Sequence, residues 1–326
     1  MVALYLALDF GGTKLAAGLV ESEAGRILAH VRRPSPSSAQ QSIEAMLGMA
    51  RQALADAGRS RSDVAAVGVS FGGPVDEARL RVRLSHHVPG WESLPLVEVV
   101  SRELGLPTAM DNDANLQALG EWRYGAGRGV SDLLFVNVGT GIGGGLVLGG
   151  RLRRGRHGLA GEIGHTVVKP DGPPCTCGKR GCVEALAAGP GIARGALEAL
   201  AANQDKGARL RELAAGHPAA VTGELVFRAA AEEDDLALAV LGEACLFLGI
   251  GIANAAAIVD PELIVVGGGV AKAGELFFRP LREAARAHAA PLWPEMLQIV
   301  PGQLGDDANV LGAAAMAEQE SAPVLS

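Results

Sequence analysis

The sequence predicts an α/β protein of two lobes laid out on a duplicated plan, and three observations predict it. Apolar runs of strand length alternate with longer helical stretches, the pattern of a sheet covered by helices. The 326 residues make about two ordinary domains of ~150. A strand, glycine turn and strand occur twice. The run 4–8 leads through Asp9-Phe-Gly11-Gly12-Thr13-Lys14 into a second run at 15–20, and the run 133–136 leads through Asn137-Val-Gly139-Thr140-Gly141 into the run 144–148. Aligned, Asp9 falls on Asn137 and Gly11 on Gly139, a weak internal repeat whose two hairpins are expected to face one another across a cleft.

Each further element follows from its own pattern. A helix is expected over 41–57, closed by Gly58, and a buried strand over 64–70 runs into Phe71-Gly72-Gly73-Pro74, where Gly and Pro break it. A helix over 96–104, a short strand over 108–110 and a helix over 114–123 follow, with Asp111-Asn112-Asp113 between the last two. Beyond the second hairpin the pattern is helical over 182–187, 192–201, 223–231 and 236–256. A strand over 263–266 with its Gly267-Gly268-Gly269 comes next, then a helix over 273–289, a strand near 298–300 and a closing helix over 310–317. No low-complexity linker separates the halves. The N-terminal lobe is therefore drawn at 1–115, with a final helix (310–320) packing back on it, and a larger C-terminal lobe at 116–309.

Composition removes several classes. Hydrophobic residues make up 48%, ample for a buried core. Lys+Arg 29 against Asp+Glu 36 leaves a net charge of −7, which argues against a general nucleic-acid binder. The one basic run, Arg151 to Arg156, reads as a solvated hairpin tip. The longest apolar stretch, 244–259, is shorter than the ~18 residues a membrane span needs, and the N-terminus lacks the basic region of a signal peptide. Four cysteines, three of them crowded into 175–182, point to a reduced, cytoplasmic protein with a metal site rather than a disulfide framework.

The glycine turns carry the first chemistry. Gly139-x-Gly141-x-x-Gly144 matches a dinucleotide-binding string, but the residues after it read as strand, so no helix N-terminus is offered to a pyrophosphate. A Walker A ending is absent from the chain. Backbone N–H groups in glycine hairpins approach an anion closely, since no Cβ obstructs them. Two matched hairpins and a third turn at Gly267, Gly268 and Gly269 therefore read as nucleotide-phosphate binding. Asp9, at a strand end, is placed to hold Mg²⁺ directly or through water. The knot Asp111-Asn112-Asp113-Ala-Asn115 has more polar side chains than an N-cap needs. At the C-terminal end of an α/β strand it faces the ligand crevice, where a carboxylate can accept a proton from a hydroxyl attacking a phosphoryl group.

Glu162-Ile-Gly-His165 has the E-x-x-H form of half a di-iron site, yet no second copy exists. His165 instead opens a metal pattern with Cys175, Cys177 and Cys182. Three sulfurs and one imidazole form a closed tetrahedral set, that of a structural Zn²⁺ site. Such a site would tie the loop of Glu162 to the helix of Glu184, over 165–184. Cys245, alone in an apolar helix, reads as core.

Taken together, the chain resembles a ROK-family sugar kinase over nearly its full length. The resemblance rests on Asp9-Phe-Gly-Gly-Thr-Lys14, Gly72-Gly-Pro-Val-Asp76, Asn112-Asp113-Ala-Asn115, Gly139-Thr-Gly-Ile-Gly-Gly144, Gly161-Glu-Ile-Gly-His165 and Cys175-x-Cys-Gly-x-x-Gly-Cys-x-Glu184. It implies an actin-like ATPase (ribonuclease H-like) duplicated fold, with two lobes around a central cleft. It further implies Asp113 as general base on a sugar 6-hydroxyl, with Gly72, Asn112, Glu162, His165 and Glu184 around the sugar. The turns Asp9, Gly11, Gly12, Thr13, Lys14 and Gly139, Thr140, Gly141 would hold the phosphates of ATP, and Gly267, Gly268 and Gly269 would lie near the adenosine.

The resemblance also bounds the partners. A small-molecule sugar is expected, with no nucleic acid or membrane, and a homodimer or homotetramer. Sugar-sensing regulators of the family carry a helix-turn-helix ahead of this core. With the first strand beginning by Leu4 and a candidate base intact, an enzyme is expected. Arg123-Tyr-Gly-Ala-Gly-Arg128 and Glu184 resemble bacterial glucokinases, so glucose is the expected substrate. His87, in Ser85-His86-His87-Val-Pro-Gly-Trp91, stands where relatives carry Asn. An N-acetylmannosamine, N-acetylglucosamine, fructose or mannose kinase is the alternative.

Overall fold

In a computed structural model of the chain, describing residues 2–73, 75–76, 81–82, 89–92, 94–290 and 295–321, every expected strand and helix is present. His86 and His87 lie outside the described residues. In order the elements are β1 (Leu4–Phe10), β2 (Lys14–Glu21), β3 (Arg26–Pro34), α1 (Ala39–Asp56), β4 (Val64–Phe71), β5 (Val75–Asp76), β6 (Arg81–Val82), α2 (Leu96–Leu104), β7 (Thr108–Asn112), α3 (Asp113–Tyr124), β8 (Leu133–Val138) and β9 (Ile142–Val147). There follow α4 (Val183–Ala187), α5 (Gly189–Ala202), α6 (Ala208–Leu213), α7 (Gly223–Ala231), α8 (Asp235–Val259), β10 (Leu263–Gly267), α9 (Glu275–His288), β11 (Ile299–Pro301) and α10 (Ala308–Ser321).

Two sheets repeat one order. The first runs β3-β2-β1-β4-β7 and the second β11-β10-β8-β9. In each a hairpin strand, β1 or β8, has a parallel neighbour, β4 or β10, which is itself parallel to an outer strand, β7 or β11. The duplication weakly visible in the glycine turns is thus a duplication of topology.

The chain falls into two compact units, residues 1–129, 145–160 and 303–326 in the first and 130–144 and 161–302 in the second. The first includes α3 and the stretch 145–160, both placed in the C-terminal lobe by the sequence reading. The reason is packing. Gly145 has its Cα against Ala118 and Asn115 of α3, where a Cβ would stand 2.6 Å from the Ala118 methyl.

Alternation along β1 and β4 sorts the first unit's core. Leu4, Leu6, Leu8 and Phe10, with Val67, Val69 and Phe71, pack under α1 and α2. On the opposite face Tyr5 packs with Ala7, Ala16 and Ala66, and these small alanines admit α3 and α10 at close range. A Cβ at Gly68 would stand 1.9 Å from the Ala313 carbonyl oxygen, and one at Gly312 1.8 Å from that of Leu116. In the second unit α8 is long and apolar enough to cross a membrane. Its buried residues, Leu241, Cys245, Leu248 and Ile252 among them, pack as core, with α4, α5, α7 and α9 around it.

Four elements escaped the sequence reading, the two-residue strands β5 and β6, the edge strand β3 and the helix α6. The edge strand β3 carries Arg26, His30, Arg32 and Arg33 and ends on Pro34, the charges and proline by which a sheet edge stays unpaired. Helix α6 is six residues long and buries only Leu210. The basic run is corrected. A hairpin does turn at Gly149-Gly150, both at positive φ, and Arg151, Arg153 and Arg156 are exposed. Arg154 is not solvated, because it ion-pairs with Asp111, whose side chain is 3% exposed.

Candidate active site and metal centre

In the first unit the site grows from strand ends. Asp9 of β1 is in register with Ser70 of β4, and Ser70 with Asp111 of β7, so the three side chains share the face covered by α3 and α10. Asn309 of α10 donates its Nδ2 hydrogen to Asp9 Oδ2 at 3.2 Å, while Asp9 Oδ1 is buried without a partner. Burial pushes the Asp9 carboxyl up to about 6, opposed by Ser70, Asn309 and the Arg32 guanidinium.

The turn beside Asp9 closes on itself. The Gly11 N–H donates to the Lys14 carbonyl at 3.1 Å, and a Cβ at Gly11 would stand 2.7 Å from that oxygen. Ser35 Oγ donates to the Gly11 carbonyl at 2.7 Å. Thr13 and Lys14 are exposed and Gly12 half-buried.

Asp113 is the first residue of α3, immediately after the N-cap. Asn112 Oδ1 accepts from the Ala114 N–H at 2.9 Å, and its Nδ2 donates to the Gly73 carbonyl at 3.0 Å. Asp113 Oδ1 accepts from the same N–H at 2.9 Å, so that hydrogen is shared, and Asn112 alone suffices as the cap. Gly72 stands beside the base. A Cβ there would be 3.8 Å from Asp113 Oδ2 and 3.8 Å from Gly11 Cα. Asp9, Gly11, Gly72, Asn112 and Asp113, far apart in sequence, are thus gathered at one end of the sheet. Burial first, and the Asp9 charge second, raise the Asp113 carboxyl to about 7.

In the second unit Glu184, in the first turn of α4, accepts from the Ile142 N–H at 3.0 Å through Oε2. A Cβ at Gly141 would stand 2.7 Å from that same oxygen. The Gly139 N–H closes the turn on the Gly141 carbonyl at 2.9 Å, with Thr140 exposed at its tip. Gly144 lies within β9, against the Gly161 carbonyl, so the dinucleotide-like string continues into a strand. Gly268 has φ +90°, and a Cβ there would stand 2.3 Å from the Val138 carbonyl oxygen. Gly269 beside it faces open space.

Glu162, His165 and Glu184 converge in the same unit. His165 Nε2 lies 3.9 Å from Glu162 and Nδ1 4.0 Å from Glu184 Oε1. Thr176 Oγ1 donates to Glu184 Oε1 at 3.2 Å.

The metal pattern closes as well. Ligand atoms of His165, Cys175, Cys177 and Cys182 all lie within 4.8 Å of one another. Cys177 Sγ is 3.7 Å from Cys182 Sγ, and Cys175 Sγ 3.7 Å from His165 Nδ1. That spacing is far beyond a disulfide bond and near the ~3.8 Å edge of a tetrahedron with ~2.3 Å zinc–sulfur bonds. The donor set fits Zn²⁺. The unpartnered Asp9 Oδ1 likewise fits a hydrated Mg²⁺, which offers water hydrogens to such an oxygen.

Residues 5–320 match the ROK family. The chain belongs to the ROK family. A glucokinase of Streptomyces coelicolor is 34% identical over 99% of this chain and 100% of its own. An N-acetylmannosamine kinase of Escherichia coli is also 34% identical, over 97% of this chain and 98% of its own. The crystal structure of a ROK glucokinase from Streptomyces griseus, in complex with glucose and AMPPNP, superposes with a TM-score of 0.83. It is 37% identical and covers 97% of this chain and 100% of that one. The fold is therefore the actin-like ATPase fold that the motifs implied.

Ser70, Asn309, Arg154 and Thr176 were not singled out by the sequence reading. A signal for Asn309 existed, since Asp306-Asp307-Ala308-Asn309 opens α10 much as Asn112-Asp113-Ala114-Asn115 opens α3.

Proposed function

We propose that the protein is an ATP-dependent sugar kinase that phosphorylates the 6-hydroxyl of glucose. The observation that carries this is Asp113, a carboxylate at a helix start beside Gly72 and Gly11, brought to about 7. At neutral pH such a group is partly ionised yet basic enough to take a proton, the match a general base requires.

Asp113 accepts the hydroxyl proton as the sugar oxygen attacks the γ-phosphoryl group, and ADP leaves. Gly72, Asn112, Glu162, His165 and Glu184 hold the sugar hydroxyls. Phosphate binding is assigned to Gly11, Gly12, Thr13 and Lys14 in the first unit and to Gly139, Thr140 and Gly141 in the second. Gly267, Gly268 and Gly269 lie by the adenosine. Asp9 would hold Mg²⁺, which neutralises phosphate charge when bound. His165, Cys175, Cys177 and Cys182 would hold a structural Zn²⁺ that fixes the His165 ring.

The similarity to the S. griseus and S. coelicolor enzymes favours glucose. N-acetylmannosamine is the second reading, favoured by an equal identity to the E. coli kinase. A homodimer or homotetramer in the cytoplasm completes the proposal. It is supported by exposed Leu238, Leu246 and Ile258 on α8 and by four cysteines of which none is in a disulfide. ADP release should be measured with glucose, mannose, fructose, N-acetylglucosamine and N-acetylmannosamine. The largest kcat/KM is expected with glucose. Sugar binding without ADP release from any of the five would make the protein a sensor.

A further inference from the structure

Asp111 is the most enclosed carboxylate of the knot, 2% exposed, and it has no place in the phosphoryl transfer. Its two oxygens are nevertheless fully engaged. Oδ1 accepts from the Asn112 backbone N–H at 2.7 Å and from Asn115 Nδ2 at 2.9 Å. Oδ2 accepts from Arg154 Nε.

The donors come from three places. Asn112 is the residue that caps α3 and directly precedes Asp113. Asn115 lies one turn into α3, and Arg154 arrives from the stretch 145–160 that folds onto the first unit. The Arg154 side chain is only 20% exposed and also reaches Glu320 of α10 at 3.6 Å. The carboxylate therefore clamps the junction of β7 and α3 from both sides of Asp113, and one arginine balances its charge. Removing that arginine leaves a buried, uncompensated carboxylate bonded to the peptide that carries the base.

We propose that Arg154 is a positioning residue, which through Asp111 holds the Asn112–Asn115 turn so that the Asp113 carboxylate meets the sugar hydroxyl. The inference rests on Asp113 being the base. A displacement of about an ångström at a reacting group is enough to cost ~10²-fold in rate, and the same turn carries Asn112, assigned to a sugar hydroxyl, so the effect belongs in kcat and in the KM for glucose but not in the KM for ATP.

The test is a cycle of Arg154→Met and Asp113→Asn in the full chain, read as kcat and as KM for glucose and ATP. Alone, Arg154→Met is expected to lower kcat ~10–100-fold, to raise the KM for glucose through Asn112, and to leave the KM for ATP within about threefold. In the Asp113→Asn background it should change the residual rate by less than about threefold, because no base remains to be positioned. Arg154→Lys, which keeps the charge but loses the guanidinium geometry, should fall between. It replaces Arg154→Met in the cycle if the latter fails to show a cooperative thermal transition.

Effects that multiply in the double variant, a change in KM alone, or an unchanged kcat in a folded Arg154 variant would overturn the positioning role by itself. An Asp113→Asn rate within tenfold of the parent would instead overturn the base reading, and this inference with it.

Discussion

At the scale of single residues, the proposed chemistry turns on two carboxylates that burial holds near neutrality. Asp113 is raised to about 7 and Asp9 to about 6, desolvation being the first cause for each. Because the base must be ionised, kcat/KM should fall as pH drops through about 7, giving an acid limb in the pH–rate profile near that value. Asp113→Asn should lower kcat by ~10²–10⁴-fold, measured by ADP release at pH 8. The same shift has a sign in stability. The folded state binds these protons more tightly than the unfolded chain, so stability contributed by the protonated forms is present at low pH and lost as pH rises through 6 to 7. Asp113→Asn should accordingly raise the melting temperature at pH 8 and change it less at pH 5. Asp9, Gly11, Asn112 and Asp113 were legible because each belongs to a local motif. Ser70 and Arg154 were not, since a serine ending an apolar strand and an arginine in a basic run acquire meaning only from the strand register and the ion pair.

Elements decide how firmly those residues are held. The stretch from His165 to Glu184 carries almost no regular structure. α4, a three-residue helical turn at Ile163–His165 and two isolated antiparallel bridges, Val167 with Cys182 and Pro174 with Arg180, frame it, and a metal on the four ligands would add a further tie across it. Metal analysis of purified protein should find about one zinc per chain. Cys177→Ser should lower the melting temperature and raise the KM for glucose, since Cys177 shares its centre with His165. Helix α10 is held differently, by absence of side-chain bulk. Gly312→Ala would drive a methyl toward the Leu116 carbonyl and is expected to destabilise the fold by ~1–3 kcal/mol, measured by denaturant unfolding. Periodicity revealed the helices that bury a face, α1, α2 and α7, and a long apolar run revealed α8. It was silent for β3, whose edge position favours charge over alternation, and for α6, which buries only Leu210.

For the whole molecule, two sheets of one topology, each with its own core, make up two compact units. The proposed homo-oligomer predicts a mass in light scattering of two or four times 33.3 kDa, and a monomer at assay concentration would refute it. The sequence by itself determined the α/β class, the duplicated hairpins, the grouping of three cysteines and a histidine able to hold a metal, and the order of the family motifs. Glycines at turns, cysteine spacing and apolar periodicity are all properties of neighbours along the chain. Only the tertiary structure decided that α3 and 145–160 join the first unit, that Asn309 reaches Asp9, and that Arg154 is paired rather than solvated. Those facts depend on register across the sheet and on helices admitted by small residues. They are set by burial between segments up to 300 residues apart, and no local pattern encodes such a distance.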